Sequence, residues 1–180
     1  MKLQNVWFTS FLAIVLFSCS PQLTPFSEKL YNENKWSDDD LKKIQFYLSE
    51  DIVLRRKVDE GQTSIENGKI RTINGEKIEE IIFKRGTPGV FLFSPKEERF
   101  AVSFESGVNQ KFLMFGANPK LSNRYALMGK EWSRNSGIVT YDEVPYYTSS
   151  ESAYSCLLVD LKRAKNSIRK SYEVKGHKVE

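Results

Sequence analysis

From residue 51 onward, apolar residues recur at every second position in short runs separated by turn-forming residues, and this periodicity constrains the fold more than any other feature. Residues 51–58 open the pattern. Two Asn-Gly pairs follow, Asn67-Gly68 and Asn74-Gly75. Asn-Gly is the strongest short hairpin signal, because a type I′ turn needs positive φ at both central positions. Residues 69–73 make a short strand between the two turns and residues 79–84 extend the next, which predicts a tight three-stranded meander. Further strands are expected over residues 90–93, with a turn at Ser94-Pro95-Lys96-Glu97, and then over 100–105, 111–115, 124–131, 137–141, 155–161 and 167–174. In the last of these, Ile168, Tyr172 and Val174 share one face and Arg169 and Lys175 the other. The pattern totals about nine or ten strands of antiparallel sheet with one wet face.

Ahead of the strands lies one helix signal. Ser37 is an N-cap, Asp40 its capping-box partner, and Asp38-Asp39-Asp40 sit at the positive end of the dipole. Leu41, Ile44 and Leu48 fall at helical spacing, giving an amphipathic helix of about three turns. The expected class is therefore mainly β: an antiparallel meander forming a small sandwich or barrel, with one amphipathic N-terminal helix packed on it. A chain of 180 residues with no internal repeat suits a single domain.

The amino terminus has a charged start at Lys2 and an apolar run from Val6 to Phe17, interrupted by Thr9 and Ser10. The run is about a dozen residues, short of the roughly 20 that span a bilayer, and it has the parts of a secretory signal in order. Leu16-Phe17-Ser18-Cys19 resembles the lipobox of bacterial lipoproteins: an aliphatic residue, a variable one, a small one, then cysteine. The resemblance implies cleavage between Ser18 and Cys19, with diacylglycerol and an N-acyl chain (palmitate among them) on Cys19. It also implies three regions: a lipoprotein signal peptide over 1–18, a lipid-anchored tether over 19–35 with an early anchoring turn around Leu30 and Tyr31, and a single β-rich domain over 36–180. Ser20 follows the cysteine where an Asp would favour inner-membrane retention, so the expected place is the outer membrane facing the periplasm. The chain has two cysteines. With Cys19 acylated, Cys156 has no partner, and it is expected as a small buried hydrophobe.

Residues that carry chemistry are few. The one histidine, His177, lies in the tail, and no Ser, Cys or metal motif accompanies it. Glu79-Glu80, Glu97-Glu98 and Asp142-Glu143 supply carboxylates, but strand neighbours point to opposite faces, so solvated positions are expected. No cofactor, metal or nucleic-acid partner is expected, and no enzyme activity. Two features remain as interfaces. Tyr146 and Tyr147 are placed at a loop end after Asp142-Glu143, where they suit a protein surface or a glycan as well as simple packing. Lys162, Arg163, Lys165, Arg169 and Lys170 make the tail basic, either as a solvated face or as a docking surface for an acidic partner or lipid phosphates.

Residues 36–55 are similar to accessory lipoproteins of the Bacteroidetes subtype of type VI secretion, which implies a secretion-system component as partner. The reading is a non-catalytic, lipid-anchored envelope lipoprotein that serves as an accessory or scaffold for another envelope protein. The alternative is a periplasmic ligand-binding module for a glycan, peptide or lipid. Cys19→Ser is expected to abolish palmitate labelling and membrane retention in cells; unchanged membrane association of that variant refutes the anchor.

Overall fold

The structure is a computed structural model that describes residues 22–58, 69–73, 75–96, 98–107 and 111–169. It is mainly β, with two antiparallel sheets in a sandwich-like arrangement. The seven-stranded sheet runs β1 (Leu23–Pro25), β13 (Leu157–Asp160), β2 (Gln45–Leu48), β6 (Pro88–Lys96), β7 (Arg99–Ser103), β8 (Leu113–Asn118) and β9 (Arg124–Leu127). The six-stranded sheet runs β10 (Glu131–Trp132), β11 (Ser136–Tyr141), β12 (Val144–Ser149), β3 (Ile52–Lys57), β5 (Glu76–Phe83) and β4 (Lys69–Ile73). Three short α-helices, α1 (Glu28–Asn34), α2 (Asp38–Leu41) and α3 (Leu161–Arg169), and two 3-10 turns, Pro119–Leu121 and Ser150–Tyr154, complete the elements of the described residues. None of them is long and apolar enough to cross a membrane.

The folded unit begins earlier than the expected boundary at Trp36. Leu23–Pro25 pair with Leu158–Asp160, and Phe26, the next residue, is fully buried. Its ring stacks on Trp36 at 5.9 Å and meets Phe46, Phe100 and Tyr125 at 5.2, 5.6 and 5.0 Å. The residues assigned to a tether thus include a strand and a core aromatic. A fully buried aromatic side chain outweighs the ordering entropy of the short segment that carries it. Leu30 and Tyr31, on α1, pack against the same core. Bridges Ser27–Arg124 and Ala126–Cys156 then bring β9 against the chain beside β1 and β13, so the two ends of the seven-stranded sheet meet.

The helix begun at Ser37 is a single turn. Its capping box is present: Asp40 N–H donates to Ser37 Oγ at 3.3 Å, and Ser37 N–H donates to Asp40 Oδ2 at 3.1 Å. The Ser37 hydroxyl, which donates to Asp40 Oδ2 at 2.8 Å, and then the Ser37 N–H hold the Asp40 carboxyl below the usual carboxylate range. The expected second and third turns are strand β2 instead. Ile44, Phe46 and Leu48 are buried while Tyr47 is half-buried, a period of two. Pairing with β13 on one side and β6 on the other satisfies the backbone in a central strand.

The expected meander is also rearranged. Ile73 pairs with Glu76, and Gly75 between them has φ +80°, so β4 and β5 pair as a tight hairpin. Yet β5 lies between β3 and β4. It carries Ile81 and Phe83 into the core, whereas Ile70 and Ile73 of β4 stay exposed, as suits an edge. The turn at Asn67-Gly68 lies outside the described residues. Phe26→Ala is expected to lower stability by about 3–5 kcal/mol in denaturant unfolding; a segment that is only a tether would give almost no change.

Candidate functional site

The six-stranded sheet presents two chemically different faces. Strand β3 pairs with β5 so that Arg55 lies opposite Glu80 and Arg56 opposite Glu79. Because neighbours on a strand alternate, Arg56 and Glu79 point into the sandwich while Arg55 and Glu80 point out. Glu98, Asp142 and Glu143 are exposed, but both glutamates of this pair are buried, at 1 % and 5 % exposure, which corrects the expectation of solvated carboxylates for them. The physical reason is the cross-strand arginine opposite each one, which compensates the buried charge.

On the inner face, Arg56 Nε donates to Glu79 Oε2, and the Tyr146 hydroxyl donates to the same oxygen at 3.2 Å. The Arg56 guanidinium carbon lies 5.5 Å from the Tyr146 ring centre. Burial works against the Arg56 charge, but the Glu79 and Tyr146 contacts outweigh it and hold its pKa above the ordinary value. Burial, then the Glu79 charge, push the Tyr146 hydroxyl up to about 12. Nearby, burial and a 2.5 Å hydrogen bond to Glu105 raise the Tyr141 hydroxyl as well. Arg56 stays charged and the Tyr141 and Tyr146 hydroxyls stay protonated through the neutral range. Arg56, Glu79 and Tyr146 therefore lock β3, β5 and β12 of one sheet together, while Tyr141 ties that sheet to the segment after β7.

The outer face of the sheet is grooved. Strands β12 and β3 pair only at Tyr147–Arg55 and Thr148–Leu54, and beyond that point they part. A groove of about 940 Å³ opens there, lined by Arg55, Arg56, Lys57, Ile73, Ile78, Val144, Pro145 and Tyr147. Pro145 has no N–H with which to extend the pairing. Tyr147 is 61 % exposed, and Ile73 and Ile82 of the same face are 41 % exposed. Arg55 bonds Glu80 at 2.7 Å and Lys57 bonds Glu76 at 2.6 Å, so the groove's cations are held in place along its floor.

The predicted interface residues separate accordingly. Asp142 and Glu143 form the turn between β11 and β12, both at positive φ (53° and 62°). Tyr146 and Tyr147 lie on strand β12 rather than at the loop end. Tyr147 is exposed as expected; Tyr146 is fully buried, which corrects its place as an interface residue. Strand alternation sends one tyrosine to each face. The expected strand over 167–174 is helical as far as Arg169: Leu161, Ala164 and Ile168 recur at helical spacing and pack on the core. Lys162, Arg163 and Lys165 lie exposed on that helix, remote in the sheet order from the groove, and Arg169 ends it. Ser18, Cys19, Lys170 and His177 lie outside the described residues. Cys156 is buried and free, its Sγ bonded to Ser49 Oγ at 3.3 Å. Among the described residues no cluster of three His, Cys, Asp or Glu side chains is placed to hold a metal.

Sequence reasoning missed Arg55, Lys57, Ile73, Ile78, Val144 and Pro145. The signal was the pair Arg55-Arg56, which the register of β3 against β5 sets opposite Glu80 and Glu79; Lys57, opposite Ile78, reaches diagonally to Glu76. No family model, curated protein or solved structure matches this chain.

Glu79→Leu, which leaves the Arg56 charge unpaired, is expected to cost about 3–5 kcal/mol, and the double variant Arg56→Met/Glu79→Leu to recover most of it. A denaturant-based double-mutant cycle checks this; an additive cycle refutes the lock.

Proposed function

We propose that this chain is a lipid-anchored, non-catalytic envelope lipoprotein, held to the outer membrane through Cys19, whose β-domain docks another envelope protein as an accessory or scaffold. Support for the anchor is the sequence Leu16-Phe17-Ser18-Cys19 behind an apolar run. Support for docking is one observation: Tyr147 stands exposed beside a groove with an apolar lining and fixed cations on the outer face of the six-stranded sheet. Exposed apolar residues grouped on one face mark interaction surfaces, and tyrosine with arginine is the composition of interface centres. A secretion-system component is the partner suggested by the similarity of residues 36–55.

The size of the groove favours a second reading, a module for a glycan or an extended peptide. About 940 Å³ falls in the range of ligand clefts, with Tyr147 as a stacking platform and Arg55 as a donor.

Affinity capture from cells is expected to recover one stoichiometric envelope protein with the native chain. Tyr147→Asp is expected to lose it, a drop of tenfold or more by the order of magnitude of a central aromatic contact, with the melting temperature unchanged. A clean monomer in both cases overturns the docking role. Strong thermal stabilisation by one glycan or peptide, lost in Tyr147→Asp, favours the second reading.

A further inference from the structure

Strands of the seven-stranded sheet bring the amino-terminal end of the folded chain and a cluster of cations to one rim. Leu23, at the start of β1, pairs with Asp160, at the end of β13. Gln45, at the start of β2, pairs with Val90 of β6, and β13 lies between β1 and β2. Neighbouring strands lie about 4.8 Å apart, so β1 and β6 are about 14 Å apart across this rim. The rim therefore gathers Leu23, Lys42-Lys43 just ahead of β2, and the first turns of α3 just after β13.

Helix α3 buries Ala164 and packs Leu161 and Ile168 on the core. That orientation turns Lys162, Arg163 and Lys165 outward, and all three are exposed. No described residue forms an ion pair with any of them. Asp160 accepts the Arg163 backbone N–H at 3.0 Å, and Lys42 bonds Asp39 at 3.2 Å. Two hollows flank the helix and share Asp160, Arg163 and Ser167. The smaller, about 180 Å³, is also lined by Lys42, Lys43 and Gln45. Its lining brings Lys42, Lys43 and Arg163 together with the Asp160 carboxylate, while the Gln45 amide is spent on the Phe46 and Gly89 carbonyls.

We propose that this rim is a membrane-contact surface that binds the phosphates of anionic phospholipid headgroups. The inference rests on the acyl anchor at Cys19. Four residues carry the chain from Cys19 to Leu23, and an extended chain spans at most about 3.6 Å per residue, so the acylated end lies within about 14 Å of the rim. The cations are thereby held close to a headgroup layer whose field decays over about 8 Å. The apolar side of α3 is spent on the core, so the contact is electrostatic and adds to the acyl chains rather than replacing them.

The test uses the chain from residue 19 with Cys19→Ser, which keeps every described core residue from Phe26 on and carries neither leader nor lipid. It is expected to sediment with phosphatidylcholine–phosphatidylglycerol vesicles, to stay free of pure phosphatidylcholine vesicles, and to be released by salt. Each cation removed lowers such binding about five-fold, so Lys162→Gln/Arg163→Gln/Lys165→Gln together lower it about a hundred-fold, with the melting temperature unchanged. Binding indifferent to phosphatidylglycerol, binding unchanged in the triple variant, or binding of inorganic phosphate without vesicles overturns the proposal. Acyl labelling of Cys19 in the native chain is scored separately. Vesicle binding without that label supports the surface and overturns the anchor, while the label without vesicle binding overturns the surface alone.

Discussion

Burial of Phe26 is the contact on which the seven-stranded sheet depends. Its ring sits among Trp36, Phe46, Phe100 and Tyr125, side chains drawn from four other points of the chain. Filling that place draws Leu23–Pro25 onto β13 and lets Ser27 bridge to Arg124, so one aromatic residue both covers the edge at β13 and closes the sheet on itself. Covered edges matter in a protein built from many short strands, because an open ladder of N–H and C=O groups is a template for aggregation. The bond from Phe26 N–H to Leu157 and that from Tyr125 N–H to Phe26 satisfy backbone groups that the closure would otherwise bury unpaired.

The second sheet is held by a different device. Two adjacent glutamates on β5, pointing to opposite faces, each meet an arginine across the β3–β5 ladder. A one-residue slip would set Glu79 and Glu80 against the wrong partners and send Ile81 and Phe83 to solvent, so the charge pairs and the hydrophobic pattern specify one register together. The inner pair, capped by Tyr146, buries its charge against the core; the outer pair forms the floor beside an exposed tyrosine. One ladder thus supplies rigidity on one face and a shaped surface on the other.

On the proposed reading the two sheets divide the work. The rim of the seven-stranded sheet, where β1 starts and α3 begins, lies toward the lipid. The outer face of the six-stranded sheet is left for a protein. The short chain between Cys19 and Leu23 then limits how far the domain strays from the headgroups, and it orients the docking face instead of letting it tumble.

The mainly β class and most strand positions were legible in the sequence, because alternation and Asn-Gly turns act over a few residues. So was the capping box at Ser37 and Asp40, a contact three residues apart. What followed it was not: Leu41, Ile44 and Leu48 fit a helix as well as Ile44, Phe46 and Leu48 fit a strand, and only the flanking β13 and β6 decided between them. Phe26 looked like part of a polar tether, since nothing local announces a cavity formed by residues far along the chain. The same holds for the site. Local pattern put Tyr146 and Tyr147 together, but the sheet separated them, one into the core and one into solvent. By itself the sequence determined the elements whose causes are local: periodicity, turns, caps and the Cys19 motif that implies an anchor. The tertiary structure alone decided strand order, which glutamates are buried and which cations share a rim, because those depend on pairing partners distant in sequence.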